Sequence, residues 1–554
     1  MCATRSAVSA TNSPSGRQDL SSRNTFDFVI VGAGSAGCVL ANRLSADRRC
    51  RVLVIEGGPD TREFIIRMPK GFGKLLFDTK RVRRFQTEPE PGSGGEAESW
   101  PRGIMVGGSS CVNGMFYTRG QPQDYDDWVG LGAIGWGWPA IGRCFKELED
   151  HELGADAVRG VGGPLHVSKH PHPHSLCDAF IQAGTALGLP ERQDINQPDQ
   201  RGIGYVPFTI KDGVRADAAA AFLDPIRSRD NLTIWPNCLV ERVVFEGRRA
   251  VGVQCLKDGE RVLVHAAGEV ILAAGAIQSP QLLQVSGAGR AELLSSLGIP
   301  LVHDLPQVGR NLREHRMLVT QFRLNQPISL NPQFRGVRFF LNLARYWLTR
   351  GGIMATGSHD AVAFFSTDMD RKRPDAELVM APLSVIPGKL SMCFEREHGM
   401  QIFGYQLRPR SHGVVEIRSG DSADSPRIQP NYLSAPEDRV MSGRILRYIR
   451  KLVAQPPLAQ YVSAEVMPGG AVQSDDDALA FHQTFGGPVM HVAGTCRIGP
   501  EGVGVVDERL RVRGLDRLRV VDCSVMPTLV SGHTNGPVMA IAWRAAELIR
   551  EDWQ

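Results

Sequence analysis

The chain has 554 residues, 42% of them hydrophobic and 22% charged, with a formal net charge of +4. A single core stops growing near ~250–300 residues, so two domains or one heavily elaborated domain are expected. The composition excludes a disordered or fibrous chain, and so small and dispersed a charge gives no basis for a nucleic-acid partner.

The densest basic group, Lys80-Arg81-Val82-Arg83-Arg84, reads as a solvated turn. Eleven cysteines make an odd count without zinc or disulfide spacing, and they read as free thiols of a reducing compartment. Residues 1–24 are rich in Ser, Thr and Ala and hold one acidic residue, Asp19; they read as a disordered tail. No apolar run reaches the ~20 residues of a spanning helix. A cytoplasmic location is expected, with membrane association and organelle targeting left open.

In chain order, Phe26–Val31 is an apolar, β-branched run stopped by Gly32, which predicts a buried strand. Gly37 to Ser45 has helical spacing, and Arg51–Ile55 predicts a second strand ending on Glu56. Together these make a βαβ unit. From Gly57 to about Gly120 extended loops are expected, and a stretch that long without elements suggests that it covers a ligand. A short helix is expected over 140–150. Runs at Leu232–Trp235, Leu239–Phe245, Ala250–Leu256 and Arg261–His265 suggest a β-meander, and Glu269–Ala276 a strand returning to the first sheet. A helix is expected to start at Ser279-Pro280, since proline suits a first turn.

Residues 316–480 change texture. Alternation around 359–366 and 411–418 predicts a second sheet, and 432–458 carries helical segments. Val337–Leu348 is amphipathic with two arginines; a packed or dimer-facing helix is the plain reading and membrane-surface contact the sharper one. Arg517–Asp522 predicts a strand, and Asn535-Gly536-Pro537 opens a terminal helix. The expected fold class is α/β, α+β overall. Residues 25–155, 200–315 and 485–554 would form a Rossmann-like nucleotide-binding domain. Residues 156–199 and 316–484 would form a substrate-binding domain built on an antiparallel sheet with helices.

The turn Gly32-Ala33-Gly34-Ser35-Ala36-Gly37 carries the first chemical signal. Gly32 permits the turn, Gly34 lets a pyrophosphate approach the backbone, and Gly37 lets helix pack on strand. The helix start at Ser35 and Ala36 offers free N–H groups to an anion. Glu56, at the end of the second strand, suits ribose hydroxyls and repels a 2′-phosphate. These residues indicate a dinucleotide without separating FAD from NAD. His166, His170, His172 and His174 imitate a metal cluster, but Lys169 and the prolines between them favour a solvated loop and no metal site is expected. The glycine turn holds Gly-x-Ser-x-Gly only in shifted form, so no hydrolase nucleophile elbow is expected. Cys111 and Cys496 read as core thiols.

Longer motifs go further. Glu56-Gly57-Gly58-Pro59 is one, and Trp100 to Met115, with Met105-Val106-Gly107-Gly108-Ser109-Ser110-Cys111-Val112-Asn113-Gly114, is another. Others are Ala273 to Leu283, Val308-Gly309-Arg310-Asn311-Leu312-Arg313-Glu314-His315, Pro409 to Gly413, Pro430-Asn431-Tyr432, His491 to Arg497 and Val521 to Asn535. In this order they resemble the glucose–methanol–choline (GMC) flavoprotein oxidoreductases over residues 25–550. The residues after His491 are similar to hydroxymethylfurfural oxidases and choline dehydrogenases, and His533-Thr534-Asn535-Gly536-Pro537 to aryl-alcohol oxidases.

The resemblance implies FAD, held without a covalent bond because Val112 stands where some members carry a linking His. It places Met105, Gly107, Gly108, Asn113 and Gly114 along the flavin, the Val240 backbone at the adenine, and Asp522 and Asn535 near the pyrophosphate and flavin ring. His491 would be the base and His533 its hydrogen-bonding partner, facing the flavin N5. His315 and His412 are expected to be structural. The expected reaction is oxidation of a primary alcohol, aromatic or apolar, to the aldehyde, with oxygen or a quinone-type carrier as acceptor. A neutral imidazole can take the hydroxyl proton while the cofactor takes hydride. Same-fold enzymes without net alcohol oxidation (cyanohydrin lyases, fatty-acid photodecarboxylases) and a non-catalytic flavin-binding protein are the alternatives.

Overall fold

A computed structural model describes residues 24–368, 373–386 and 393–553, so the tail expected over 1–24 lies, Asn24 apart, outside the described residues. The expected βαβ unit is present as strand Thr25–Val31, helix Ser35–Leu44 and strand Val52–Ile55. Val52–Ile55 and, from Phe28 on, Thr25–Val31 are apolar and buried because the sheet is covered on both faces.

The expected meander and return strand are rearranged. Leu232–Trp235 leaves the meander and lies parallel to Val52–Ile55 at the sheet edge. The two separate strands expected at 261–265 and 269–276 are one strand, Glu260–Leu272. Its first half closes an antiparallel meander with Arg249–Lys257 and Cys238–Glu246. Its second half runs parallel to Thr25–Val31 on one side and to Leu518–Val520 on the other. Gly268, within this strand, lets it pass Trp553, which a Cβ would meet at 2.6 Å.

The next helix starts earlier than expected, spanning Gly275–Val285 with Pro280 inside it. Proline cannot donate to the Ala276 carbonyl four residues back. The Thr495 hydroxyl donates to that carbonyl instead, at 2.6 Å. The 57–120 stretch is less irregular than expected: short helices at Phe64–Arg67 and Phe72–Leu75 precede a hairpin of Val82–Gln86 and Ser99–Gly103. The basic group at 80–84 therefore enters a strand, and Arg81 pairs with Asp78 and Glu63.

The second sheet is antiparallel, in the order Val462–Met467, Arg316–Leu324, Gly399–Gln406, Ala376–Ala381, Ala361–Phe365, Gly202–Tyr205. Gly202–Tyr205, expected beyond a boundary at 200 on the cofactor side, is thus its outer strand. The alternation at 411–418 does not join it. Gly413–Glu416 sits in a separate small sheet with Arg310–Leu312 and Arg427–Gln429. Side chains alternate across the strands. Leu378, Met380, Met400 and Ile402 pack under helices Ser175–Ala186 and Pro436–Val453. Val379, Phe403 and Tyr405 face the other way, toward Phe116 and Phe208.

One ion pair lies wholly inside. Arg119, 1% exposed, meets both oxygens of Glu149, 0% exposed, at 2.6 and 2.7 Å, and the Tyr117 hydroxyl donates to the same carboxylate. Removing one partner strands the other's charge. Arg119→Ala is expected to cost about 3–5 kcal/mol, read as a lower urea midpoint. The apolar double replacement Arg119→Met with Glu149→Leu is expected to recover much of that loss.

Candidate functional site

Gly32 ends its strand at φ +104°, and a Cβ there would lie 2.6 Å from the Ala273 carbonyl oxygen. A Cβ on Gly37 would strike the Gly32 carbonyl, so helix and turn touch through bare backbone. Gly34, by contrast, has no atom within 4 Å of where its Cβ would stand. That open side lies at the start of helix Ser35–Leu44, whose N-terminus has no side-chain cap. The N–H groups of its first turn have no partners within the helix. An anion with room beside Gly34 and donors from Ser35, Ala36 and Gly37 fits this turn.

Glu56 is buried beside it. Its two carboxylate oxygens accept the N–H groups of Ala33 and Gly58, both at 3.0 Å. Burial pushes the carboxyl up to about 7, against those backbone donors. Gly107, at φ +100°, donates to the Ala33 carbonyl at 2.8 Å and brings Gly108 against Gly34, so the second motif lies directly on the first. The Asn113 side-chain carbonyl accepts from Met115 N–H and from the buried Arg215, at 3.0 and 2.9 Å. Gly114 packs on Ser358. The Met105 side chain is fully buried with Ile66, Cys111 and Val112, leaving only its backbone toward the loop. Val240 is buried on its strand, and its carbonyl accepts from Ser422 at 3.2 Å.

The far end of the sequence closes the same region. The Ser35 hydroxyl donates to the Asn535 side chain at 2.7 Å, across 500 residues of chain. Asp522, buried, accepts from Gly275 N–H at 2.8 Å and Ser279 at 2.5 Å, which caps the proline-containing helix; burial raises its pKa.

The two candidate histidines meet. His491 Nε2 lies 3.1 Å from His533 Nδ1, and on its other side His491 Nδ1 lies 2.8 Å from His315 Nδ1. His315 is thus in direct contact with the pair, beyond the structural part expected of it. Its Nε2 is 2.9 Å from the Leu407 carbonyl. A carbonyl only accepts, so this bond assigns the His315 proton to Nε2, its lone pair to Nδ1, and a proton to His491 Nδ1. The lone pair of His491 is therefore on Nε2, facing His533. Burial, followed by the neighbouring histidines and Arg102, pulls the His491 pKa well below its ordinary value.

His533 Nε2 lies 3.3 Å from Glu377 and 3.5 Å from the Tyr405 hydroxyl. Glu377 and Tyr405 are direct cross-strand neighbours on the second sheet. Glu377 is wholly buried, and its second oxygen has no hydrogen-bond partner among the described residues. The Phe116 ring stacks at 4.1 Å on His533. Glu314 accepts the backbone N–H groups of His315 and His491, at 2.8 and 2.7 Å, and burial pushes its pKa up to about 8.

Glu377, Tyr405 and Glu314 escape the sequence reading. One signal for Glu377 was available: it is the lone charge in Ala376–Ala381, an otherwise uninterrupted apolar strand. His412 stands apart from the site, exposed. The expected solvated histidine loop is so only in part: Lys169, Pro171, His172 and Pro173 are exposed, but His170 is buried on Asp360 at 3.0 Å and His174 caps helix Ser175–Ala186. Among the described residues no group of three His, Cys, Asp or Glu is arranged to hold a metal. Cys111 and Cys496 are fully buried.

Family models described as GMC oxidoreductase match residues 26–317 and 409–542. The chain is 39% identical to mitochondrial choline dehydrogenase of Mus musculus, over 95% of this chain and 90% of that protein. It is 38% identical to alcohol dehydrogenase [acceptor] of Pseudomonas putida, over 95% of each. Among solved structures, pyridoxine 4-oxidase from Mesorbium loti superposes with a TM-score of 0.84 at 31% identity, covering 95% of this chain and 99% of that one. With these matches along nearly its whole length, the chain belongs to the GMC oxidoreductase family, FAD-dependent enzymes acting on CH–OH groups.

Proposed function

We propose that this enzyme oxidises a primary alcohol with an apolar or aromatic body to its aldehyde, with His491 Nε2 as the base and His533 as hydrogen-bond partner to the alcohol oxygen. One observation carries the reading: the chain from the Leu407 carbonyl through His315 leaves the His491 lone pair on Nε2, toward His533. Burial keeps that imidazole neutral, the state a base needs.

The FAD pyrophosphate would lie beside Gly34, on the N–H groups of Ser35, Ala36 and Gly37, with Glu56, the Gly107–Gly114 segment, Val240, Asp522 and Asn535 around the rest. No side chain here is suited to a covalent link at Val112. When bound, the flavin supplies a two-electron acceptor for the hydride of the alcohol carbon. At 3.1 Å, His491 and His533 leave no room for a hydroxyl between them, so one ring turns when substrate enters. His491 is tied through Nδ1 and its backbone N–H, whereas His533 is the partly exposed ring. Once turned, His533 donates to the alcohol oxygen while His491 takes the hydroxyl proton. On the other side of that ring, His533 Nε2 lies 3.3 Å from Glu377. Phe116, with Met317, Phe403 and Val489 packed nearby, gives the apolar surface for the substrate body. The electrons then pass to a quinone-type carrier.

His491→Ala is expected to retain bound FAD but to bleach by alcohol at least ~10²-fold more slowly under anaerobic conditions. Bleaching at the parent rate overturns the assignment. Turnover with a quinone analogue, run beside turnover with oxygen, tests the acceptor; oxygen as the faster one refutes the quinone reading.

The pH dependence has a defined sign. A depressed His491 pKa keeps the base neutral below 6.5, so the acid limb of the flavin-reduction rate is expected below 6.5. Stability behaves in parallel. Burial lowers His315 and His482 each to about 3, while the unfolded chain takes up those protons below 6.5. Their contribution is whole above pH 6.5 and is lost as pH falls toward 3. A denaturant midpoint that declines through this window, and declines less in His482→Gln, is the expected result.

A further inference from the structure

Helix Gly336–Thr349 is apolar on two opposite faces. Phe339, Leu343 and Tyr346 turn inward, onto Leu330, Ile353 and Met354. Half a turn away, Val337, Phe340, Leu341 and Leu348 fall at helical spacing on the outside, with Trp347 at their edge. They are 73, 67, 63, 72 and 66% exposed in order of Val337, Phe340, Leu341, Leu348 and Trp347. Among the described residues these are the five most exposed large apolar side chains of the chain. So much apolar surface on one face implies a partner.

Charge identifies it. Arg338 and Arg345 flank the outer stripe on one side, and Arg335 and Arg350 stand at the two ends of the helix. None of the four is in an ion pair among the described residues. From Arg316 to His359 the sequence contains no Asp or Glu. A second copy of the chain meeting this face about a two-fold axis would set Arg338 and Arg345 against their own copies, with no acid on the helix to offset them. An anionic lipid surface offers both an apolar layer for the stripe and phosphates for the arginines.

We propose that helix Gly336–Thr349 is a membrane-docking element that lies in the headgroup plane of an anionic bilayer, with Phe340, Leu341, Trp347 and Leu348 inserted and Arg338 and Arg345 on the phosphates. Docking leaves the body of the enzyme outside the bilayer; among the described residues no helix is long and apolar enough to cross a membrane. The proposal does not depend on the identity of the substrate.

The test is co-sedimentation of the FAD-loaded full-length protein with vesicles of phosphatidylcholine alone or with about one third phosphatidylglycerol. Binding is expected to the mixed vesicles, with a partition coefficient at least ~10-fold above that for neutral ones, weakening in high salt. Phe340→Ser with Trp347→Ser is expected to abolish it, and Arg338→Glu with Arg345→Glu to lower it by at least ~10-fold. All four side chains are exposed, and retained flavin absorbance in each variant verifies folding. Equal binding to neutral and anionic vesicles, no binding to either, or undiminished binding by both variants overturns the proposal. So does a dimer in analytical ultracentrifugation that the Phe340/Trp347 variant dissociates, which would assign the face to a second copy.

Discussion

The molecule is organised by a single strand, Glu260–Leu272, which hydrogen-bonds to three others, one beside it in sequence and two from distant parts of the chain. One of its edges takes Thr25–Val31, and the other is shared along its length between Arg249–Lys257 and Leu518–Val520. The first half closes a local antiparallel meander while the second half stands between the amino-terminal strand and Leu518–Val520. That sharing fixes the distance between the glycine turn at one end of the chain and Asp522 to Asn535 at the other. The loops beyond these strands then fall at one end of a parallel sheet, where open α/β sheets place their ligands.

The βαβ unit was legible because its signals are local: a β-branched run, glycines at turn spacing and an acid closing the next strand. What escaped depends on contacts that no local window contains. Pro280 looked like a helix start because a proline in a sixth helical position needs a distant hydroxyl, Thr495, to satisfy the carbonyl it leaves. Glu260–Leu272 looked like two strands, and the side chain that Gly268 makes room for within it, Trp553, is near the other end of the sequence. The alternation at 411–418 was a true strand signal, but alternation carries no information about which sheet a strand joins. At the site, His491 and His533 were legible through motifs shared with a known family. Their partners were not: His315 is aimed at the pair by a distant backbone carbonyl, that of Leu407, and Glu377 stands in a strand whose other side chains argue only for burial.

The second sheet supplies these partners with one face and its core with the other. Glu377 and Tyr405 stand side by side beneath His533, and the neighbouring Leu378 and Gly404 belong to the opposite face. A one-residue slip of either strand would exchange the two sets, so the hydrophobic packing under helices Ser175–Ala186 and Pro436–Val453 also fixes the polar environment of His533. Stability of that packing and geometry of the site are in this sense one property.

The bond between Ser35 and Asn535 bears on how the protein is made. The glycine turn is among the earliest segments a ribosome releases, and the helix that closes over it is among the last. A nascent chain of five hundred residues has its nucleotide fingerprint and still lacks the strand Leu518–Val520, Asp522 and the Asn535 side chain. A chain that stops before the final helix keeps the glycine turn but lacks the side chain that closes over Ser35.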